Sequence, residues 1–150
     1  MSWILLVDRM KDAEALKTNL PVVTTNEFIA HPARFAKAGT KAISLARSYA
    51  YQTEGYYASL LAEARALRVV PNVETILDLA EREGYARALP ELEHALNQAL
   101  SRVDAPVNAT FLVCFGQVEG GGLKEFGRLL FDWFRAPAVR VALRKSENGW

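Results

Sequence analysis

Only one cysteine occurs among the 150 residues, so no disulfide can form within the chain. Cys114 lies inside the apolar run ATFLVCFGQV, where the pattern predicts a small buried hydrophobe rather than a reactive thiol. A single cysteine suits a reducing compartment. Long apolar runs are missing as well. WILLV at 3–7 ends at Asp8 and Arg9, short of a signal-peptide core and far short of the ~20 residues of a membrane span. A cytoplasmic protein with no membrane partner is expected. Histidine is scarce too: with only His31 and His94, a Cys/His zinc site is excluded, and there is no HExxH pair. His94 reads as a solvated helix residue and His31, before Pro32, as structural.

Neither sign of charge is in excess. Eighteen Lys and Arg against seventeen Asp and Glu leave a net charge of +1, too little for a nucleic-acid footprint. The common nucleotide and nucleophile signatures are absent: no GxxxxGK[ST], no GxGxxG after a strand and no GxSxG elbow. Glu119-Gly120-Gly121-Gly122 could aim backbone N–H groups at an anion. It lacks a lysine at phosphate-loop spacing, however, and Glu119 opposes an anion, so a flexible turn is the better reading.

What is present is an alternation of short apolar runs with helical periodicity. Trp3–Val7 reads as a strand buried on both faces, Lys11–Leu16 as a brief helix and Pro21–Thr24 as an extended segment. Thr25 or Asn26 suits a helix N-cap, and His31-Pro32 interrupts or ends that helix. Lys41–Ala46 is a third strand candidate. Tyr57, Leu60, Leu61, Ala64 and Leu67 then recur at the spacing of one helix face, which assigns Tyr57 to the core. Arg68–Asn72 reads as a strand cut off by Pro71. Val73–Ala80 and Leu89–Val103 read as helices separated at Gly84, the second burying Leu92, Ala95, Leu96, Ala99 and Val103. Thr110–Gln117 is the clearest strand, followed by a helix over Leu123–Arg135 and an alternating strand over Ala138–Leu143.

These elements predict one α/β layered domain over 1–150 with a mainly parallel sheet. The polar end from Lys145 to Trp150, carrying Asn148-Gly149, looks like a hairpin cut short, so a longer parent protein is expected.

If 43–46 is a parallel strand and 55–67 its helix, residues 47–54 lie past the strand's carboxyl end, where open α/β sheets bind ligands. Arg47 offers a fork of donors for a carboxylate or phosphate and Ser48 a hydroxyl. Tyr49 and Tyr51 add aromatic area with polar tips, while Tyr56, Ser59 and Glu63 share a helix face distinct from the apolar one. The plainer alternative for any single residue is a role in the fold, with Arg47 and Glu63 simply paired.

The stretch RSYAYQTEGYYASLLAEARALRVVPNVETILDL at 47–79 resembles the RimK-like ATP-grasp N-terminal domain, the module ahead of RimK-type ATP-grasp ligase domains. FLVCFGQV at 111–118 with LLFDWFRAPAVRV at 129–141 is similar to that family's second block. Ala66-Leu67 depart from the usual glycine and histidine, and Gly120–Gly122 have no counterpart.

The resemblance implies a pre-ATP-grasp, Rossmann-like fold and a non-catalytic accessory domain of an ATP-dependent carboxylate–amine ligase. Its partners would be an ATP-grasp domain of the same or an adjacent chain and an amino-acid or peptide substrate. ATP and Mg²⁺ are implied for the parent ligase, with no cofactor in this chain. The alternatives are a free-standing small-molecule binder using an Arg47–Glu63 crevice, or an interaction module. The latter could self-associate through the tyrosine loop and Trp133-Phe134.

Overall fold

The computed structural model describes residues 2–36, 39–101, 108–147 and 149–150. Its Cα positions separate into two compact units, Met1–Ala80 and Glu81–Trp150.

In the first unit, strand β1 (Trp3–Val7) is followed by a 3-10 turn (Met10–Ala13), β2 (Val22–Thr24), α1 (Thr25–Ala30) and α2 (Pro32–Phe35). Next come β3 (Lys41–Leu45), α3 (Glu54–Ala64), β4 (Arg68–Val70) and α4 (Val73–Ala80). The four strands form a parallel sheet in the order β2-β1-β3-β4, with Leu5 opposite both Val22 and Ile43. β1 holds an interior position, which is why its run is apolar without alternation and buried from Ile4 to Val7. The chain leaves β1 toward β2 on one side and returns to β3 on the other. The sheet therefore has a topological switch point between β1 and β3.

The core of this unit joins Ile4, Leu6, Ala42 and Val69 of the sheet to Phe28, Phe35, Ala58 and Ala62 of the helices. The phase of α3 differs from the expectation. Its buried residues are Gly55, Ala58, Ser59 and Ala62, whereas Tyr57 and Leu60 are exposed and Leu61 only half-buried. Small side chains let the helix backbone lie close to the sheet, so the larger residues are turned outward. A Cβ added at Gly55 would sit 2.5 Å from the Ala46 Cβ and against the Ser48 carbonyl oxygen. Leu67 is buried but lies beyond the end of the helix. The α1 N-cap is Thr24, whose hydroxyl accepts from the Glu27 N–H at 3.2 Å. Thr25 is drawn into a different network.

The second unit contains α5 (Arg82–Ala86), α6 (Leu89–Leu100), β5 (Asn108–Cys114), β6 (Gln117–Val118), α7 (Lys124–Trp133) and β7 (Ala138–Arg144). Its sheet is antiparallel, β6-β5-β7, so the second set of strands adds nothing to the parallel sheet. The expected strand over 110–117 is a hairpin: Phe115 and Gly116 have φ of 47° and 77°, the two positive values of a tight two-residue turn. Gly84 falls inside α5 rather than between helices. In α6, Leu92, Ala95 and Leu96 are buried as expected, and Ala99 is exposed.

Val113, Phe126, Leu130 and Phe134 complete the core of this unit on one face of the sheet. Cys114 is exposed rather than buried, because alternation places it on the opposite face from Val113. Val103 and Asn148 lie outside the described residues. The fold is thus α/β, with a four-stranded parallel sheet and a small antiparallel one.

Candidate functional site

The carboxyl ends of β1, β2 and β3 carry a polar network. Asp8 follows β1, Thr25 follows β2, and the loop 46–53 follows β3 and leads into Glu54 of α3. The fully buried Thr25 hydroxyl lies 3.3 Å from the Asp8 carboxylate and 3.1 Å from that of Glu54. The other Asp8 oxygen accepts the Arg47 main-chain N–H at 2.8 Å, across the switch point. The Arg47 guanidinium pairs with both oxygens of Asp12, Nε at 3.1 Å, on the 3-10 turn after β1. This side-chain hydrogen bond holds the Asp12 carboxyl below its ordinary range and the Arg47 guanidinium above its own. Arg47 is therefore paired with Asp12 and not with Glu63.

The loop itself is closed by its own side chains. Tyr49 tucks its ring inward, donates its hydroxyl to the Ser44 carbonyl at 2.6 Å and accepts from the Ala46 N–H at 3.2 Å. Burial pushes its phenol up from the ordinary value. The Ser48 hydroxyl accepts from the Ala50 N–H at 3.2 Å, and the Thr53 hydroxyl lies near the carbonyls of Ala50 and Ser48. Each of these bonds satisfies a backbone group that no strand or helix serves.

Outside this frame stands a row of aromatic rings. Tyr51, 75% exposed, meets Tyr56 edge-on at 5.6 Å between centroids, and Tyr56 meets Tyr57 edge-on at 5.7 Å. Such edge-to-face contacts preorganise a surface without hiding it. Tyr57, expected in the core, belongs to this row.

Arg47, Ser48 and Tyr49 thus share the loop, and Tyr51 and Tyr56 share the aromatic row. Ser59 does not join them: it is fully buried, and its hydroxyl donates to the Pro71 carbonyl at 2.9 Å. Glu63 is exposed, and its carboxylate accepts from the Val73 N–H at 3.1 Å, at the first residue of α4. Asp8, Asp12, Thr25 and Glu54 escaped the sequence reading. Asp8 and Thr25 directly follow β1 and β2, but nothing in the sequence links them, or Asp12 and Glu54, to Arg47 or to one another.

Three carboxylates against one guanidinium make the network a poor receiver of a free anion. Among the described residues no group of three or more His, Cys, Asp or Glu is placed to hold a metal ion. In the Glu119–Gly122 turn, Gly120 and Gly121 have positive φ, and open space surrounds all three glycines.

The sequence model of the RimK-like ATPgrasp N-terminal domain matches residues 25–150. The chain belongs to this family. A search of curated proteins found no match. In this RimK-like ATP-grasp N-terminal domain the matched residues start at Thr25, so β1, Asp8 and Asp12 precede them. The loop, the tyrosine row and the whole second unit fall within the match. Among the described residues of the domain no helix is long and apolar enough to cross a membrane.

Proposed function

We propose that this RimK-like ATP-grasp N-terminal domain is a non-catalytic accessory module of an ATP-dependent carboxylate–amine ligase. It docks on the ATP-grasp region and contributes to recognition of an amino-acid or peptide substrate. The observation that carries this reading is the row formed by exposed Tyr51, on a loop pinned from beneath by Tyr49 and Asp8, with half-buried Tyr56 and exposed Tyr57 at the start of α3. Rigid aromatic groups with polar tips bury much area at low entropic cost, and they dominate protein interfaces. The network below the row has its donors and acceptors committed to one another, which suits a support better than a reaction centre. ATP and Mg²⁺ belong, in this proposal, to the ATP-grasp region. The compartment proposed is the cytoplasm, in keeping with the single cysteine.

Calorimetric titration of the 150-residue chain with the separately expressed ATP-grasp region of its ligase tests the docking. Tyr51→Ala with Tyr56→Ala should weaken binding by about thirtyfold, the loss typical of interface hot spots. Undiminished binding by a folded double variant would remove the proposal. The substrate role is read from the ligase's amino-acid or peptide KM with and without this domain; an unchanged KM would refute that part alone.

A further inference from the structure

We infer that the open edge of β7 is a docking site for an extended acidic segment of a partner protein, added as a fourth strand to the antiparallel sheet. β7 pairs with β5 only, and the order β6-β5-β7 leaves its other side as a sheet edge. The phase of the ladder follows from two hydrogen bonds. Phe115 N–H donates to the Pro137 carbonyl at 3.1 Å, so the 115–137 pair is hydrogen-bonded, and so, by alternation, are 113–139 and 111–141. Leu112 lies between these pairs, and its carbonyl accepts from Glu119 N–H on the β6 side at 3.0 Å, in agreement. Arg140, Ala142 and Arg144 therefore aim their main-chain N–H and C=O groups away from β5, at the open edge. Among the described residues no main-chain group bonds to them there.

The side chains of the same residues select the charge of what can pair. Along β7 exposure alternates, placing Arg140, Ala142 and Arg144 on the outer face while Val139, Val141 and Leu143 turn toward the core. Arg140 and Arg144 stand about 13 Å apart, with the small Ala142 between them. Among the described residues neither guanidinium has an ion-pair partner, and neither β5 (NATFLVC) nor β7 (AVRVALR) contains a carboxylate. Charged residues on an edge ordinarily guard it against unwanted pairing. Here the guard is of one sign. A second copy of β7 would bring four guanidiniums onto one face, whereas a strand with alternate carboxylates would pair with them across the new ladder. Main-chain bonds would supply the register and the arginines the choice of partner.

Fluorescence anisotropy of labelled eight-residue peptides with the full chain tests this. One peptide alternates glutamate with threonine; the other alternates lysine with threonine. The glutamate peptide should bind, and more weakly as salt rises. Arg140→Glu with Arg144→Glu should weaken it about tenfold, the effect of two modest cross-strand charge pairs, and reverse the preference toward the lysine peptide. Ala142→Pro removes an outward N–H without touching the β5 ladder. It should abolish binding while leaving the thermal midpoint nearly unchanged.

If the proline variant does not fold, the charge-reversed pair still decides, with Arg140→Gln and Arg144→Gln as its milder form. Equal binding of both peptides, or binding indifferent to the arginine changes, would overturn the inference. So would a monomer–dimer equilibrium that Ala142→Pro abolishes, since β7 would then serve a second copy.

Discussion

Arg47 and Asp8 are joined through the backbone of one and the side chain of the other: the Arg47 N–H meets the Asp8 carboxylate at 2.8 Å. The bond spans the gap between β1 and β3 where the parallel sheet reverses its winding. In open α/β sheets that gap commonly receives a ligand. Here it is closed by the chain itself, so the loop above it is held in one place.

Asp8 serves two donors, and its removal should be felt at both. In Asp8→Ala the Arg47 N–H loses its acceptor, and the buried Thr25 hydroxyl keeps only Glu54. The expected cost is about 1–3 kcal/mol, the range for leaving a polar group unsatisfied. Urea denaturation measures the global loss. Hydrogen exchange should show the Arg47 amide among those most accelerated; an Arg47 amide exchanging as in the parent would contradict the assignment.

The Asp12–Arg47 pair makes a signed prediction about acid. The folded-state carboxyl titrates below its unfolded value of 3.8, because the guanidinium hydrogen-bonds its charged form. Its stabilising contribution is present above pH 3.8 and is lost as the pH falls through the lower folded-state value. Asp12→Asn should therefore flatten part of the fall in stability below about pH 4, with little change in the slope from pH 5 to 8. Both groups are solvent-accessible, so added salt should shrink the difference between variant and parent. Denaturant midpoints across pH 2.5–7 for the two proteins check the sign.

Much of the first unit could be read from its sequence for one physical reason: strands buried in a parallel sheet are short and continuously apolar. β1 shows this, β3 (Lys41–Leu45) lies where expected although Lys41 and Ser44 interrupt its apolar residues, and α4 (Val73–Ala80) falls where its periodicity put it. Phasing failed for α3 because hydrophobic periodicity assumes that the largest apolar residues are buried. Close packing instead buried Gly55, Ala58, Ser59 and Ala62 and turned Tyr57 outward. That inversion made Ser59 look like a surface residue. The hairpin at Phe115-Gly116 was hidden because a bulky residue at positive φ carries no composition signal. The carboxylates below the loop were illegible for a different reason. Asp8 and Asp12 meet Arg47 from more than thirty positions away, and only the β1–β3 pairing brings them together.

Gly55 offers a direct check on the packing of α3. Its Cβ in Gly55→Ala would meet Ala46 Cβ and the Ser48 carbonyl, both parts of the pinned loop. Backbone at such a contact cannot swing aside, so overpacking should cost about 1–3 kcal/mol despite the better helix propensity of alanine. Gly122→Ala is the control, since its Cβ would meet nothing within 4 Å. Thermal unfolding of the two variants should separate them clearly. A neutral Gly55→Ala would mean that α3 does not lie this close to the loop.

Tyr49 gives the opposite signature at high pH. Burial raises its phenol above the ordinary value of 10.0, although the hydrogen bonds at Ser44 and Ala46 oppose the rise. A folded-state value above the unfolded one means that the folded protein holds the proton more tightly. The associated stability is complete below pH 10 and declines as the pH rises from there through the folded-state value. Tyr49→Phe keeps the ring and removes the titrating group, so its stability should fall less steeply than the parent's above pH 10. At neutral pH the variant should be weaker by about 1 kcal/mol, having lost the bonds to the Ser44 carbonyl and the Ala46 N–H. The difference between the two denaturation curves against pH isolates Tyr49 from the other tyrosines and the lysines, which titrate in both proteins. Parallel curves from pH 8 to 11 would show that the phenol ionises as freely in the folded protein as in the unfolded one, and would remove Tyr49 as the anchor beneath the tyrosine row.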